Sequence, residues 1–175
     1  MTNFDKSCKK CGEIFTPFRT FDKLCYLCTK TELALKNLEK IKKEKKKKQK
    51  EDLLTLQDYL KIAQATFNKY INIRDQGKNC ISCFKPIKGR VNASHYYNAN
   101  NHYSLRFDED NVHSSCITCN QFLHGNLIQY RKGLIERIGE ANLSRLDELS
   151  STTRRFTKEE LKELIREYKE KIKYF

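Results

Sequence analysis

Apolar residues recur at close to 3.6-residue spacing in the stretch that runs from Leu53 to Arg74. They stand at Leu56, Leu60, Ala63, Phe67, Tyr70, Ile71 and Ile73. This spacing places one apolar stripe along a helix, which is typical of a helix packed against a core. The pattern therefore predicts an amphipathic helix that is ended by Gln76 and Gly77.

Further helices are predicted before and after this one. Residues 29–51 are highly charged and contain no Gly or Pro, which predicts a solvated helix or a fraying linker. Residues 127–138 and 143–149 have helical patterns that are separated near Gly139. Thr157 followed by Glu160 forms a capping box, which predicts the start of a last helix.

The segment 80–120 differs from these helices because it is irregular and rich in Asn and Tyr. Its stretch Ala93–Tyr97 alternates in a way that suits a β-hairpin. Only 38% of the 175 residues are hydrophobic and Trp is absent, so a single large apolar core is not expected.

The chain carries 35 Lys and Arg against 22 Asp and Glu, a formal charge of +13. Nucleic acid is the expected partner of such a chain, although a Lys-rich surface can also serve solubility alone. Residues 36–50 hold nine Lys and two Glu, and nine minus two gives +7. This basic arm, with Lys45, Lys46, Lys47 and Lys48 at its centre, contacts DNA or acts as a spacer between two modules.

No apolar run approaches the roughly 20 residues that a membrane span needs, and the start lacks the apolar block of a signal peptide. We therefore expect no membrane partner and a cytoplasmic protein. Thiols stay reduced in that compartment, so the eight Cys are better explained by metal than by disulfides.

The cysteines fall into four C-x2-C pairs, which form two sets. The first set is Cys8, Cys11, Cys25 and Cys28, and the second is Cys80, Cys83, Cys116 and Cys119. Four thiolates make a closed tetrahedral zinc site with no open position for substrate, so we predict two structural Zn²⁺ ions. A redox role stays open for the first set.

The polar residues between the second pair of knuckles suggest catalysis. His95, then Asn111, then Asn120 directly after Cys119 is the order of the HNH signature. His95 would take a proton from the attacking water, Asn111 would hold the imidazole or the hairpin, and Asn120 would offer an oxygen to Mg²⁺ or Mn²⁺. Either Asn could instead be a turn or capping residue.

Other candidates around this site have two interpretations each. His113 is a ligand or phosphate contact, or a structural histidine. Arg106 and Arg131 are phosphate clamps, or partners of local carboxylates. The fold class that follows is α+β and mostly helical. It comprises an N-terminal zinc module (1–28), a Lys-rich helix or linker (29–52), a zinc-stapled ββα-metal core (53–150) and a C-terminal helix (151–175).

Across most of its length the chain resembles the phage lambda NinG (Rap) recombination endonucleases, an HNH-related family that cuts branched DNA. The resemblance rests on several short motifs, among them Ile73–Asp75, Cys80–Cys83, Ala93–Tyr96, Leu105–Asp108, Asn111–His113, Cys116–Asn120, Gly125–Asn126 and Tyr130–Arg131. It implies a Mg²⁺- or Mn²⁺-dependent nuclease that selects junctions, D-loops or flaps, with His95, Asn111 and Asn120 in the site.

The chain departs from the wider HNH pattern in one place. An Asp or His usually precedes the general base and binds the metal, whereas Ser94 and Asn92 stand here. The catalytic ion therefore has His95 and Asn120 as candidate ligands, and either binds weakly or recruits His113. Cutting of a symmetric junction would suit a homodimer. The alternative function is a non-catalytic, zinc-dependent DNA-binding accessory protein of recombination.

Overall fold

A computed structural model describes residues 5–175, which fall into two compact units, the first ending at Leu54 and the second spanning Thr55–Phe175. Four helices and two small sheets make the chain α+β and mostly helical, as predicted. The boundary between the units lies two residues beyond the expected end of the Lys-rich segment. Residues 151–175 belong to the second unit, because their helix packs against the helix that opens it.

The first unit is a short hairpin followed by one long helix. Strands β1 (Lys6–Ser7) and β2 (Ile14–Phe15) pair antiparallel, with Lys6 opposite Phe15. Helix α1 then runs over Tyr26–Asp52, 27 residues that rise about 40 Å. It starts three residues before the predicted segment and continues without a break. None of its side chains is buried in the unit, which fits a solvated helix.

The second unit opens with the amphipathic helix α2 (Leu56–Arg74). Thr55 accepts a hydrogen bond from the backbone N–H of Asp58, and the Asp58 carboxylate accepts one from the backbone of Thr55, so a capping box starts the helix. The predicted stripe is the buried face, apart from Leu56, which is 41% exposed, and Ile73, which is half-buried. Phe67, Tyr70 and Ile71 of this face form the main apolar core.

Two helices close the C-terminal part of the second unit. Helix α3 spans Leu127–Leu149, and Gly139 interrupts it with φ 79° and ψ 165°, at the break that the sequence predicts. Helix α4 (Lys158–Lys173) starts at the predicted capping box of Thr157 and Glu160 and packs on α2. Within residues 5–175 no helix has both the length and the apolar character that crossing a bilayer requires.

The β-hairpin lies between α2 and α3 in the chain. Strand β3 (Asn92–His95) pairs antiparallel with β4 (Val112–Ser115), with Ser94 opposite His113 and His95 opposite Val112. Residues 96–111 form the connection, which we call the hairpin loop. Val112 joins the core of α2, so the hairpin is anchored on that helix.

A second apolar cluster joins α3 to the knuckle at Cys80. Ile81 packs there with Tyr130 and Leu134. Gly133 allows this contact, because a Cβ atom at that position would stand 2.1 Å from the carbonyl oxygen of Ile81. The first turns of α3 thus pack against the cysteine knuckle that begins at Cys80.

Candidate functional site

The second cysteine set forms a compact cluster at the open end of the hairpin. The four sulfur atoms of Cys80, Cys83, Cys116 and Cys119 lie within 4.8 Å of one another. The Sγ atoms of Cys83 and Cys116 are 3.9 Å apart, close to the spacing of two thiolates on one tetrahedral zinc. Burial raises the pKa of Cys80, but backbone N–H donors led by Cys116 outweigh it and bring that pKa to about 7. The cluster can hold Zn²⁺.

The first cysteine set is built in the same way from a knuckle and a helix start. Gly12 follows Cys11 with φ 78°, and Cys25 is the N-cap of α1. The sulfur atoms of all four cysteines lie within 4.8 Å of one another, and those of Cys11 and Cys25 are 3.7 Å apart. The backbone N–H of Cys25 lowers the pKa of Cys8 to about 6. This cluster too can hold Zn²⁺.

His95 ends β3 and is partly buried beside the hairpin loop. Its Nε2 lies 3.0 Å from the backbone carbonyl oxygen of Arg106. Because a carbonyl can only accept, Nε2 carries the proton and Nδ1 keeps its lone pair. Burial lowers the pKa of His95, which favours the neutral ring at neutral pH. The imidazole is therefore held as a base.

Asn111 holds the two ends of the hairpin loop together. It is fully buried, and its Oδ1 accepts a hydrogen bond from the backbone N–H of Tyr97 at 2.8 Å. Its Nδ2 donates to the carbonyl oxygens of Tyr97 and Leu105, both at 3.0 Å. Leu105 directly precedes Arg106, whose carbonyl accepts from His95. These contacts are those of a residue that holds the hairpin, and none of them reaches the imidazole of His95 directly.

Asn120 is positioned by the cysteine cluster. It lies in a π-helical turn, Thr118–Phe122, and its backbone N–H donates to the carbonyl of Cys116 at 3.0 Å. Its side chain is partly buried. Hydrogen bonds connect His95 and Asn111 through the loop, whereas none among residues 5–175 joins the side chain of Asn120 to either of them.

His113 is buried with both ring nitrogens engaged. Arg74 donates to Nδ1 at 3.0 Å, and Nε2 donates to the carbonyl oxygen of Asp110 at 3.1 Å. Burial lowers the pKa of His113, which keeps the ring neutral. Since no ring nitrogen is left for an ion or a phosphate, the geometry favours the structural interpretation of His113 over a ligand.

Asp75 is a central residue of the structure, although the sequence offers it only as the last residue of the motif Ile73–Asp75 and not as a site residue. Its side chain is fully buried and accepts hydrogen bonds from Arg74, Lys78 and the backbone N–H of Ser114, each at 2.9 Å. Burial raises its pKa, but the hydrogen bonds and positive charges of Arg74 and Lys78 outweigh that effect and lower the pKa strongly. Asp75 thus ties the end of α2 to β4. The sequence feature that could have identified Asp75 is its place as a carboxylate directly after the end of an amphipathic helix.

The two candidate phosphate clamps have protein partners. Arg106 is buried, and its Nε donates to Gln64 at 2.9 Å. Arg131 is exposed but forms a two-pronged ion pair with Asp147, at 2.7 and 3.1 Å. The second interpretation of Arg131, pairing with a carboxylate, is therefore present in the structure. The lysines of the basic arm are exposed on α1.

The fold and these sites define a small basic protein with two four-cysteine clusters and a histidine-bearing hairpin between the second pair of knuckles. A family model described as "Bacteriophage Lambda NinG protein" matches residues 2–175. The chain belongs to this family.

Curated relatives are phage proteins named "Protein ninG". That of Escherichia phage 933W is 35% identical over 96% of this chain and 92% of its own length. That of Salmonella phage P22 is 41% identical over 66% of this chain, and the match covers 56% of the relative. That of Escherichia phage lambda is 38% identical, again over 66% and 56%. No solved structure matches the chain.

Proposed function

We propose that this protein is a metal-dependent endonuclease of the HNH type, which hydrolyses phosphodiester bonds in branched or otherwise structured DNA. One observation carries the proposal. The ring of His95 donates through Nε2 to a backbone carbonyl, which leaves Nδ1 as a proton acceptor at the end of the hairpin. This basic nitrogen lies on the hairpin between the second pair of cysteine knuckles, and a free ring nitrogen is what a general base requires.

The reaction assigns one step to His95. Nδ1 takes a proton from water, the water oxygen bonds to phosphorus, and the bond from phosphorus to one ester oxygen breaks. The leaving oxygen takes up a proton from solvent. General-base assistance of this kind contributes on the order of 10²- to 10⁴-fold in rate. Asn111 contributes indirectly, because it fixes the loop that carries the carbonyl of Arg106.

The divalent ion, Mg²⁺ or Mn²⁺, would neutralise charge on the scissile phosphate and the leaving oxygen. In the described part of the chain, the groups of three or more His, Cys, Asp or Glu side chains suited to one ion are the two cysteine clusters. A hard cation would therefore rest on the amide oxygen of Asn120 and on the DNA itself. Mg²⁺ commonly binds through one or two protein ligands plus substrate phosphates. His95 can serve as base only while its Nδ1 stays off the ion.

Cleavage assays on linear, flapped and four-way substrates test the proposal. We expect cutting of branched DNA with Mg²⁺ or Mn²⁺, and loss of at least about 100-fold in rate for His95→Ala with little change in DNA binding. His102→Ala is the matched control, because His102 is also partly buried and bonded to a carbonyl, that of Ser150 at 2.8 Å. Full activity of His95→Ala would refute the assigned mechanism.

The basic arm has its own test. If Lys45, Lys46, Lys47 and Lys48 contact DNA phosphates, their joint replacement by Ala should lower affinity and flatten the plot of log K against log salt by about 3 to 4. An unchanged slope would support the spacer interpretation instead.

A second candidate function is a non-catalytic, zinc-dependent DNA-binding protein. This function is favoured because, among the described residues, the groups of three or more side chains suited to one ion are the two cysteine clusters, and neither includes His95. The charge of +13 suits either function. The two functions separate in one experiment: a pure binder shows salt-dependent affinity for DNA but no cleavage with any added ion, and His95→Ala changes neither property.

A further inference from the structure

A cavity of about 730 Å³ opens in the second unit, away from the cysteine cluster. It is bounded by the starts of α2 and α4, by the linker 152–156 and by the tip of the hairpin loop. Its volume lies within the roughly 300–1,000 Å³ of small-ligand sites. We propose that it binds one unpaired nucleotide of branched DNA, which would let the protein recognise a branch point.

The walls of the cavity suit a base with its phosphate. Leu56, Leu60 and Leu161 give it an apolar floor, and Tyr103 adds an aromatic ring that is 36% exposed. Bases of any sequence stack on such rings. A paired base cannot enter, because it is already stacked and hydrogen-bonded within the duplex. The cavity would therefore distinguish unpaired from paired DNA.

Two neighbouring arginines line the same cavity, and they differ in their contacts. Arg154 pairs with Glu160 at 3.3 Å and lies 4.7 Å from the ring centre of Phe156. The guanidinium of Arg155 has no ion pair or hydrogen bond within residues 5–175. A free guanidinium beside an apolar pocket suits the phosphate of a nucleotide whose base lies inside.

The cavity is connected to His95 through the hairpin loop. The guanidinium of Arg106 lies over the ring of Tyr103, 5.6 Å from its centre, and the carbonyl of the same Arg106 accepts from His95. Ser104 donates to the carbonyl of Leu149 at 2.9 Å, which holds the loop against the end of α3. A branch bound in the cavity would thus contact the same hairpin loop that orients the imidazole of His95. This link to cleavage rests on the proposed function, whereas binding in the cavity does not.

The experiment measures binding alone, by fluorescence anisotropy with zinc-loaded protein and no added Mg²⁺ or Mn²⁺. The probes are a labelled duplex with a short single-stranded thymidine tail, the same duplex without the tail, and the tailed duplex with an abasic residue at the junction. We expect the tailed probe to bind about tenfold more tightly than the blunt duplex, and the abasic probe to lose about five- to tenfold of that affinity.

Variants assign the effect to the cavity. Tyr103→Ala and Arg155→Ala should each weaken binding of the tailed probe about five- to tenfold and leave the blunt duplex unchanged, whereas Tyr103→Phe should bind like the unaltered protein. Tyr174→Ala and Arg166→Ala are the matched controls on other exposed surface. Arg155→Ala removes no hydrogen bond or ion pair within residues 5–175, so it tests the site even if Tyr103→Ala loosens the loop.

The outcomes separate this proposal from the nuclease. Tyr103→Ala should no longer distinguish the abasic probe from the normal one. Stacking needs both the nucleobase of the probe and the ring of Tyr103, and the variant lacks the ring. Equal sensitivity to the abasic residue in the variant and the unaltered protein would overturn the cavity assignment. Tail-dependent binding without any cleavage would refute the nuclease and keep the cavity. Cleavage that depends on His95, together with unchanged binding of the tailed probe in Tyr103→Ala and Arg155→Ala, would keep the nuclease and refute the cavity.

Discussion

Replacing Asn111 by Ala should remove much of the stability of the second unit. The substitution deletes three hydrogen bonds, two of 3.0 Å and one of 2.8 Å. It leaves the backbone of the buried Leu105 and of the partly buried Tyr97 without these partners. Each such bond contributes about 1 to 1.5 kcal/mol net, so we expect a loss of about 3 to 4 kcal/mol. Asn111→Asp should also destabilise at neutral pH, because a carboxylate would face two carbonyl oxygens.

Urea unfolding followed by tyrosine fluorescence measures this effect. Eight of the nine tyrosines lie in the second unit, since only Tyr26 precedes Thr55, so the signal reports that unit. Asn100→Ala, at an exposed position of the same loop, is the control and should change stability by less than about 0.5 kcal/mol. A loss below about 1 kcal/mol for Asn111→Ala would refute the reasoning that this amide holds the loop.

Further predictions concern packing, metal and pH. Gly133→Ala should lower the free energy of unfolding by about 3 kcal/mol, because its methyl group would clash with a backbone carbonyl. Gly139→Ala should lower it by only about 1 kcal/mol, through its positive φ, because no atom crowds the added methyl group. Urea unfolding measures both. Metal analysis should give two zinc equivalents, with one lost in Cys8→Ser or Cys80→Ser, and only the latter should unfold the second unit. Burial lowers the pKa of His113 below its usual value of 6.5, so the unfolded chain binds more protons than the folded chain as the pH drops below 6.5. Stability should fall as pH drops through that range, and His113→Gln should flatten the fall.

Local rules predicted the elements that local interactions decide. The apolar stripe from Leu60 to Ile71 needs only helical spacing, and it is the buried face of α2. The capping box at Thr157 and the break at Gly139 depend on backbone preferences of a few residues, and both stand where the sequence places them. The two cysteine clusters were predictable from the C-x2-C spacing, because two such pairs rarely serve another purpose than binding one metal ion.

Contacts between distant segments decided what the sequence could not reveal. The buried network of Asp75 joins residues 39 positions apart, and no local pattern marks a carboxylate that accepts from Ser114. The carbonyl of Arg106 that orients His95 is a backbone atom, which residue type does not identify. The cavity at Tyr103 and Arg155 requires four segments to meet, so it becomes visible only in three dimensions.

The anchoring of the hairpin loop has a practical consequence for protein engineering. Asn111 holds the end of the loop and Ser104 holds its middle. Asn98 and Asn100 lie between β3 and Ser104, and both are exposed. A reporter peptide inserted after Asn100 should therefore leave the orientation of His95 intact. Such an insertion would place a spectroscopic label beside the proposed nucleotide-binding cavity without rebuilding the domain.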